Sequence, residues 1–176
     1  MTMADTIAVM NAGVIEQLGT PAELYEHPAT TFAANFLGQS NLVAGRVVGS
    51  DPERLLLDVQ GVKLTASEVS SGITSGDVWV GVRPEKVGLT APGAAPSSAN
   101  TLGGGRVSDA SFVGVSTQYL VRMPWGQELQ VFEQNTGRRR MFRRGDRVEL
   151  SWRPEFAFLL DHSQDASAGA QRMDAS

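Results

Sequence analysis

One short pattern occurs twice in this chain, and it limits the fold more than any other feature. Gly-Arg-Val at 45–47 returns at 105–107, Gly-Asp at 76–77 returns at 145–146, and Arg-Pro-Glu at 83–85 returns at 153–155. The three pairs keep their order along the chain and have similar separations. Repetition of this kind indicates two similar structural units. We expect the two units to pack into one domain.

The segments between the repeated motifs have the length and pattern of β-strands. They are apolar or alternating runs, and Gly, Asp and Pro separate them. The chain holds 19 glycines and 8 prolines in 176 residues, which favours turns over long helices. The predicted strands are 42–48, 54–59, 62–66 and 78–82 in the first unit, and 105–109, 117–123, 128–132, 148–152 and 156–160 in the second. This arrangement predicts a mainly β fold, either a small barrel or a sandwich.

The first 38 residues have a different pattern. Apolar runs at 6–10 and 14–18 flank the turn sequence Asn-Ala-Gly, which predicts a β-hairpin. Thr20, followed by Pro21 and then Glu23, is typical of a helix start with a capping box. We predict helices over 21–26 and from Thr30 or Thr31 to residue 37, the second ending at Gly38.

Composition divides the rest of the chain. We expect a β-domain over 41–162, with a linker at 91–101 that is rich in Pro, Ala and Ser. The final segment, 163–176, is small, polar and aperiodic, which predicts a disordered tail.

The chain lacks the residues that several kinds of chemistry need. The chain has no cysteine and only two histidines, which are far apart in sequence, so we expect no thiol chemistry and no metal site. No glycine-rich loop ends in Lys-Ser or Lys-Thr, so we expect no phosphate-binding loop for ATP. We found no catalytic constellation and predict that this chain by itself is not an enzyme.

The two Arg-Pro-Glu sequences are candidate functional sites. Arg83, Glu85, Arg153 and Glu155 flank a rigid proline in each copy. Side chains of this kind can brace neighbouring strands, line a small-ligand crevice or form an interface. A repeated structural turn is the simpler interpretation.

A second candidate is a run of arginines. Six of them lie within ten residues: Arg138, Arg139, Arg140, Arg143, Arg144 and Arg147. Such a cluster is typical of an anion contact, or it is a solvated loop. Nucleic acid is the weaker form of the anion hypothesis, because Phe142 is the only aromatic residue in the cluster and the chain has a net charge of −4.

The sequence also resembles a known family. Residues 2–38, with Gly-Thr-Pro-Ala-Glu-Leu-Tyr at 19–25 and Phe-Ala-Ala-Asn-Phe-Leu-Gly at 32–38, are similar to the C-terminal end of the nucleotide-binding domain of ABC importer ATPases. The subunits for spermidine and putrescine are the most alike, and those for ferric iron and sugars are related. Residues 41–160, with Gly-Val-Arg-Pro-Glu-Lys-Val at 81–87 and Leu-Ser-Trp-Arg-Pro-Glu at 150–155, resemble the TOBE domain, an OB-like β-barrel that follows the ATPase domain in this family.

The resemblance carries expectations about function. It implies a hairpin and two-helix remnant of the ATPase domain, followed by a regulatory and dimerisation domain. The family's Walker A, signature and Walker B motifs and its switch histidine would lie upstream of Met1, so we expect a truncated subunit. ATP and Mg would then be cofactors of the full-length family and not of this chain.

The expected location and partners come from the same resemblance. The full-length family is cytoplasmic, peripheral to the membrane and bound to permease subunits. For this chain we expect a homodimer, formed through the TOBE domain or through apolar surface left exposed on Ile7, Val9, Ile15, Phe32 and Phe36. The alternative is a free-standing OB-like domain that binds nucleic acid or an anionic ligand through the arginines at 138–147.

Overall fold

The computed structural model describes residues 4–67, 72–137 and 141–170. It contains two short α-helices, α1 (Pro21–Glu26) and α2 (Thr31–Leu37). The strands of the N-terminal segment and the first unit are β1 (Ile7–Asn11), β2 (Val14–Gly19), β3 (Asn41–Ser50), β4 (Arg54–Val59), β5 (Val62–Ser67), β6 (Gly76–Val82) and β7 (Gly88–Thr90). Those of the second unit are β8 (Asn100–Val113), β9 (Ser116–Arg122), β10 (Glu128–Gln134), β11 (Arg147–Trp152) and β12 (Phe158–Asp161).

Two five-stranded antiparallel sheets form the β-domain, which confirms the predicted mainly β fold built from two similar halves. Their strand orders are β12-β6-β3-β4-β5 and β10-β9-β8-β11-β7. Within each half, an Arg-Pro-Glu turn follows the fourth strand as a 3₁₀ turn, at Pro84–Lys86 and Pro154–Phe156. Proline suits the first position of such a turn because its fixed φ is already helical.

The two halves exchange their last strands. β7 follows the first Arg-Pro-Glu turn but pairs with β11 of the second half, and β12 follows the second turn but pairs with β6 of the first. Most buried apolar side chains of both halves form a single continuous core, from Val43 and Val80 in one sheet to Leu102 and Leu150 in the other. A smaller cluster joins Leu42, Phe158 and Leu160 to Ala34 of α2. The halves are therefore parts of one domain, as the repeat predicts.

The N-terminal segment folds as a small unit against the β-domain. Thr20 and Glu23 form the predicted capping box at the start of α1, and Thr30 caps α2. Val9 is buried with Leu24 and Ala33 in a separate small core.

The expected exposure of this segment is only partly right. It is wrong for Val9, because α1 and α2 cover the inner face of the hairpin; Ile7 and Phe32 are half-buried there. Ile15 and Phe36 are exposed, at 57% and 55%.

The chain near its C-terminus differs from the predicted disordered tail. Residues 163–170 form turns that run along α2: Thr31 N donates to Gln164 Oε1, and Asn35 Nδ2 donates to the carbonyl oxygens of Ala166 and Ala168. Trp79 Nε1 donates to the Gln164 carbonyl oxygen. Backbone carbonyl oxygens accept most of these hydrogen bonds. Because every residue type has a backbone carbonyl, the small and polar side chains of the segment did not predict the contacts. Residues 171–176 lie outside the described part of the chain.

Candidate functional site

Arg83 begins the first Arg-Pro-Glu turn, and its side chain is buried beneath the N-terminal helices. Its Nη1 donates to the carbonyl oxygens of Ala34 and Gly38 at 2.5 and 2.8 Å, and to Ser40 Oγ at 2.6 Å. Its Nη2 and Nε donate to the Tyr25 carbonyl oxygen at 2.8 and 3.3 Å. The three carbonyl oxygens lie at the C-terminal ends of the two helices, where carbonyls lack partners within the helix. Arg83 therefore attaches the N-terminal segment to the β-domain.

Two aromatic rings lie beside the Arg83 guanidinium. Its central carbon is 4.2 Å from the centroid of the Tyr25 ring and 5.6 Å from that of Phe158. Burial lowers the pKa of Arg83, because the charged form loses its hydration, while the nearby Tyr25 and Glu85 favour that form. This geometry gives Arg83 an attachment role within the chain. Its predicted role in binding a ligand or forming an interface stays a prediction.

Tyr25 connects the end of α1 with the first Arg-Pro-Glu turn. Its hydroxyl donates to Glu85 Oε1. Burial of the phenol, together with this hydrogen bond to a carboxylate, raises the pKa of Tyr25 to about 12. The neutral phenol is thus the form that the folded chain holds.

A cleft of about 230 Å³ opens between the end of α1 and the two Arg-Pro-Glu turns. Its walls are aromatic, and its rim carries both signs of charge. The lining residues are Tyr25, Glu26, His27, Arg83, Lys86, Glu155, Phe156 and Phe158. A concave site with apolar walls and a few polar groups is the usual form of a small-molecule pocket.

Phe156 lies between two cations at this cleft. Lys86 Nζ is 4.7 Å from the centroid of its ring, and the Arg153 guanidinium carbon is 5.4 Å from it. Arg153 Nη2 also pairs with Glu155 Oε1 at 2.5 Å, and both side chains are exposed to solvent. Glu85 and Arg153 do not line the cleft, but each contacts a residue that does: Glu85 contacts Tyr25, and Arg153 contacts Glu155. The four predicted residues of the two turns therefore lie in or next to the cleft.

Sequence analysis missed six of the eight residues that line the cleft: Tyr25, Glu26, His27, Lys86, Phe156 and Phe158. Lys86 and Phe156 directly follow the two copies of Arg-Pro-Glu, so extending the repeat by one residue would have found them. Tyr25 lies in another segment, and only the folded chain brings it here.

The arginine cluster is not part of the cleft. Arg138, Arg139 and Arg140 lie outside the described residues. Arg143 and Arg144 are exposed in the loop before β11, and Arg147 begins that strand, opposite Arg106 of β8. Within the described residues no group of three or more His, Asp or Glu side chains could hold a metal ion.

Comparison with known proteins identifies the β-domain. A family model described as the TOBE domain matches residues 80–160. Over these residues the chain is similar to the TOBE domain. We call the β-domain that contains them the TOBE domain. The match begins in β6 and runs through β12, so it includes both Arg-Pro-Glu turns and the exchanged strand of each half.

Relatives extend the similarity to the segment before the TOBE domain. The spermidine/putrescine import ATP-binding protein PotA of Thermobifida fusca is 37% identical over 163 residues, which are 91% of this chain and 41% of that protein. The proteins of the same name from Acidothermus cellulolyticus and Nitrosomonas europaea are each 36% identical over 165 residues, covering 93% and 91% of this chain and 43% and 45% of theirs. The chain is similar to the C-terminal region of these proteins and spans less than half of their length.

A solved structure supports the fold of the TOBE domain. The cytoplasmic molybdate-binding protein ModG, in a crystal form with molybdate bound, superposes with a TM-score of 0.55 at 18% identity. The superposition covers 68% of this chain and 94% of that one, and it confirms the predicted OB-like fold. In the described part of the chain, no helix is long and apolar enough to cross a membrane.

Proposed function

We propose that this chain is the C-terminal regulatory part of the ATP-binding subunit of an ABC importer of the polyamine type. In the full-length subunit, ATP hydrolysis drives solute import through membrane permease subunits, and the TOBE domain regulates or dimerises that subunit on the cytoplasmic side. The similarity to the spermidine/putrescine import proteins supports this proposal, because it includes the N-terminal segment as well as the TOBE domain.

The structural observation that carries the proposal is the outer face of the β1–β2 hairpin. Ala8 pairs with Leu18, and Met10 pairs with Ile15, so these four side chains share one face of the two strands. All four are exposed, with Met10 at 55% and Leu18 at 64%. A two-stranded hairpin with a bare apolar face is marginal in water. We propose that the ATP-binding part of the subunit packs against this face.

On this proposal the segment itself is not catalytic. The residues that bind ATP and Mg would belong to the part of the relatives that this chain does not match. If the chain acts in this short form, it is a non-enzymatic regulator with the ATP site missing. The Arg83 contacts would then keep the hairpin unit and the TOBE domain together.

We propose that the cleft between the Arg-Pro-Glu turns holds a small regulatory ligand. Its aromatic walls and the carboxylates of Glu26 and Glu155 suit a polyamine, and Lys86 suits an oxyanion. Calorimetric titration with spermidine, putrescine and molybdate distinguishes these classes. Absence of heat with every one of them would end the sensing hypothesis. The expected homodimer is tested on the same samples by sedimentation.

The proposed role is tested with a chimera. The ATP-binding part of the Thermobifida fusca relative is joined to this full chain and assayed for ATPase activity and spermidine import in membranes that contain the permease of that relative. We expect an active chimera. We expect Met10→Glu with Leu18→Glu to abolish packing and activity, whereas the exposed control Val62→Glu in the TOBE domain leaves both unchanged. A folded but inactive chimera, or activity indifferent to the hairpin changes, would contradict the proposal.

A further inference from the structure

The β8–β9 hairpin carries an exposed apolar tip that the proposed function does not use. β8 is the longest strand, and its last residues are exposed on both faces. Phe112, Val113 and Val115 are 66%, 58% and 84% exposed. Gly114 has a φ of 62° at the turn, in the left-handed region that favours glycine. Exposed apolar groups this close together mark a contact surface.

Two grooves continue this surface along the side of the hairpin. One, of about 200 Å³, is lined by Phe112, Tyr119 and Met141 together with residues 133–137. The other, of about 600 Å³, lies between residues 109–110 of β8 and residues 141–144. Met141 belongs to both grooves and is 55% exposed. The apolar tip is therefore continuous with the loop that carries Arg143 and Arg144.

The charges on this surface are unbalanced. Within the described residues, the guanidinium groups of Arg143 and Arg144 make no ion pair. Two carboxylates also line the grooves: Glu133 accepts from Leu89 N and Asp109 from Ser111 Oγ, and these hydrogen bonds leave their charges in place. The excess of positive charge comes from the loop sequence, because residues 138–147 contain six arginines and one aspartate. A chain with a net charge of −4 thus has a local positive edge beside an apolar groove.

We propose that this surface, formed by Phe112, Val113, Val115, Met141, Arg143 and Arg144, binds an acidic polypeptide. Apolar side chains of the partner fill the groove beside Phe112, and its carboxylates pair with Arg143 and Arg144. The charge complementarity decides the choice of partner. An isologous contact with a second copy would bring this positive edge close to its own counterpart, and phosphates would leave Val113 and Val115 without a role.

The first half of the TOBE domain supplies a matched control. Its equivalent hairpin, β3–β4, ends in Asp51, Pro52 and Glu53, so the tip is acidic instead of apolar. Val48 and Leu56 are exposed there, at 49% and 43%. Replacing these residues changes exposed apolar area by a similar amount beside a tip whose two carboxylates outnumber its one arginine, Arg54.

The test uses the full chain and a fluorescent peptide in which leucine and phenylalanine alternate with glutamate. Binding is followed by anisotropy at rising salt concentration. We expect Arg143→Gln with Arg144→Gln, and separately Phe112→Ser with Val115→Ser, to weaken binding about tenfold or more. The control Val48→Ser with Leu56→Ser should bind like the parent chain. Thermal unfolding shows whether each variant is folded.

Four results would overturn the proposal. The first is equal binding of a peptide with glutamine in place of glutamate. The second and third are tighter binding of an oligonucleotide, or of phosphatidylglycerol vesicles, that the same variants abolish. The fourth is a dimer in sedimentation that Phe112→Ser with Val115→Ser dissociates and that excludes the peptide. The readout is binding by this chain alone, so it is independent of any role in an importer.

Discussion

Asn41 and Asn100 make the same pair of hydrogen bonds in opposite directions across the TOBE domain. Asn41, the first residue of β3, accepts from Gln130 N at 2.8 Å and donates to Gln130 O at 2.7 Å, on β10 of the second half. Asn100, the first residue of β8, accepts from Thr65 N at 2.9 Å and donates to Thr65 O at 2.7 Å, on β5 of the first half. Each asparagine thus hydrogen-bonds to the backbone of an edge strand in the other half.

We expect the hydrogen bonds of Asn41 and of Asn100 to stabilise the domain. Replacement by alanine in Asn41→Ala or Asn100→Ala leaves an edge-strand N–H and C=O without partners. This should lower the free energy of unfolding by about 1–3 kcal/mol in each case, measured by urea denaturation. The exposed control Asn135→Ala, whose side chain bonds only to residues of its own hairpin and its turn, should cost less. An equal decrease in the free energy of unfolding for all three variants would mean that the hydrogen bonds of Asn41 and Asn100 stabilise the domain no more than those of Asn135.

Arg83→Met should release the N-terminal helices. The change removes five hydrogen bonds to Tyr25, Ala34, Gly38 and Ser40, so we expect a loss of about 3–5 kcal/mol and faster hydrogen exchange in α1 and α2. The matched control is Arg153→Met in the other turn, where the exposed ion pair with Glu155 should contribute at most about 1 kcal/mol. Unchanged exchange in both helices would contradict the attachment role.

Gly81→Ala should disrupt the exchanged strand β12. A Cβ atom at Gly81 would lie only 2.1–2.6 Å from three ring carbons of Phe158, its partner residue in the sheet. We expect a loss of about 1–3 kcal/mol or more in thermal or urea unfolding. In the other sheet the corresponding pair is Ser151 of β11 and Gly88 of β7. The change Gly88→Ala meets Ser151 atoms only at 3.8 and 3.9 Å and should be tolerated. A Gly88→Ala variant as damaged as Gly81→Ala would refute the steric explanation.

The Tyr25 hydroxyl should make stability depend on alkaline pH. Its pKa rises from 10.0 to about 12 because the phenol is partly buried and hydrogen-bonded to Glu85. The folded chain then holds this proton more tightly than the unfolded chain. The contribution is complete below pH 10 and is lost as pH rises from 10 to 12.

We therefore expect the free energy of unfolding to fall less steeply in Tyr25→Phe than in the parent chain over this range. Tyr119 remains in both proteins and serves as the internal reference, since burial also raises its pKa. Identical slopes in the two proteins would show that Tyr25 titrates normally.

Much of the fold was predictable because it depends on local sequence. The turn residues and the two copies of Arg-Pro-Glu set the strands and the two halves, and Thr20 with Glu23 set the start of α1. The exchange of β7 and β12 was not predictable, because a strand of three or four residues carries no signal of which sheet it joins. Its partner is decided by how the two halves pack.

The site was predictable only in part for the same reason. Arg83 and Arg153 lie in identical tripeptides with almost identical backbone angles, yet one is buried and the other exposed. The difference comes from α1 and α2, which cover only the first turn. Composition near one arginine holds no information about a segment that is distant in sequence.

The strand exchange also determines when this domain can fold on the ribosome. β6 is synthesised well before its partner β12, the last strand of the domain, and β7 is synthesised well before its partner β11. The sheet that contains β6 is complete only after β12 has left the exit tunnel, and the sheet that contains β7 only after β11 has left it. The first half therefore cannot complete its sheet before the second half is synthesised, although most domains of multidomain chains fold in order of synthesis. Ribosome-bound chains that stop before Phe158 will expose the free edge of β6 to chaperones and proteases.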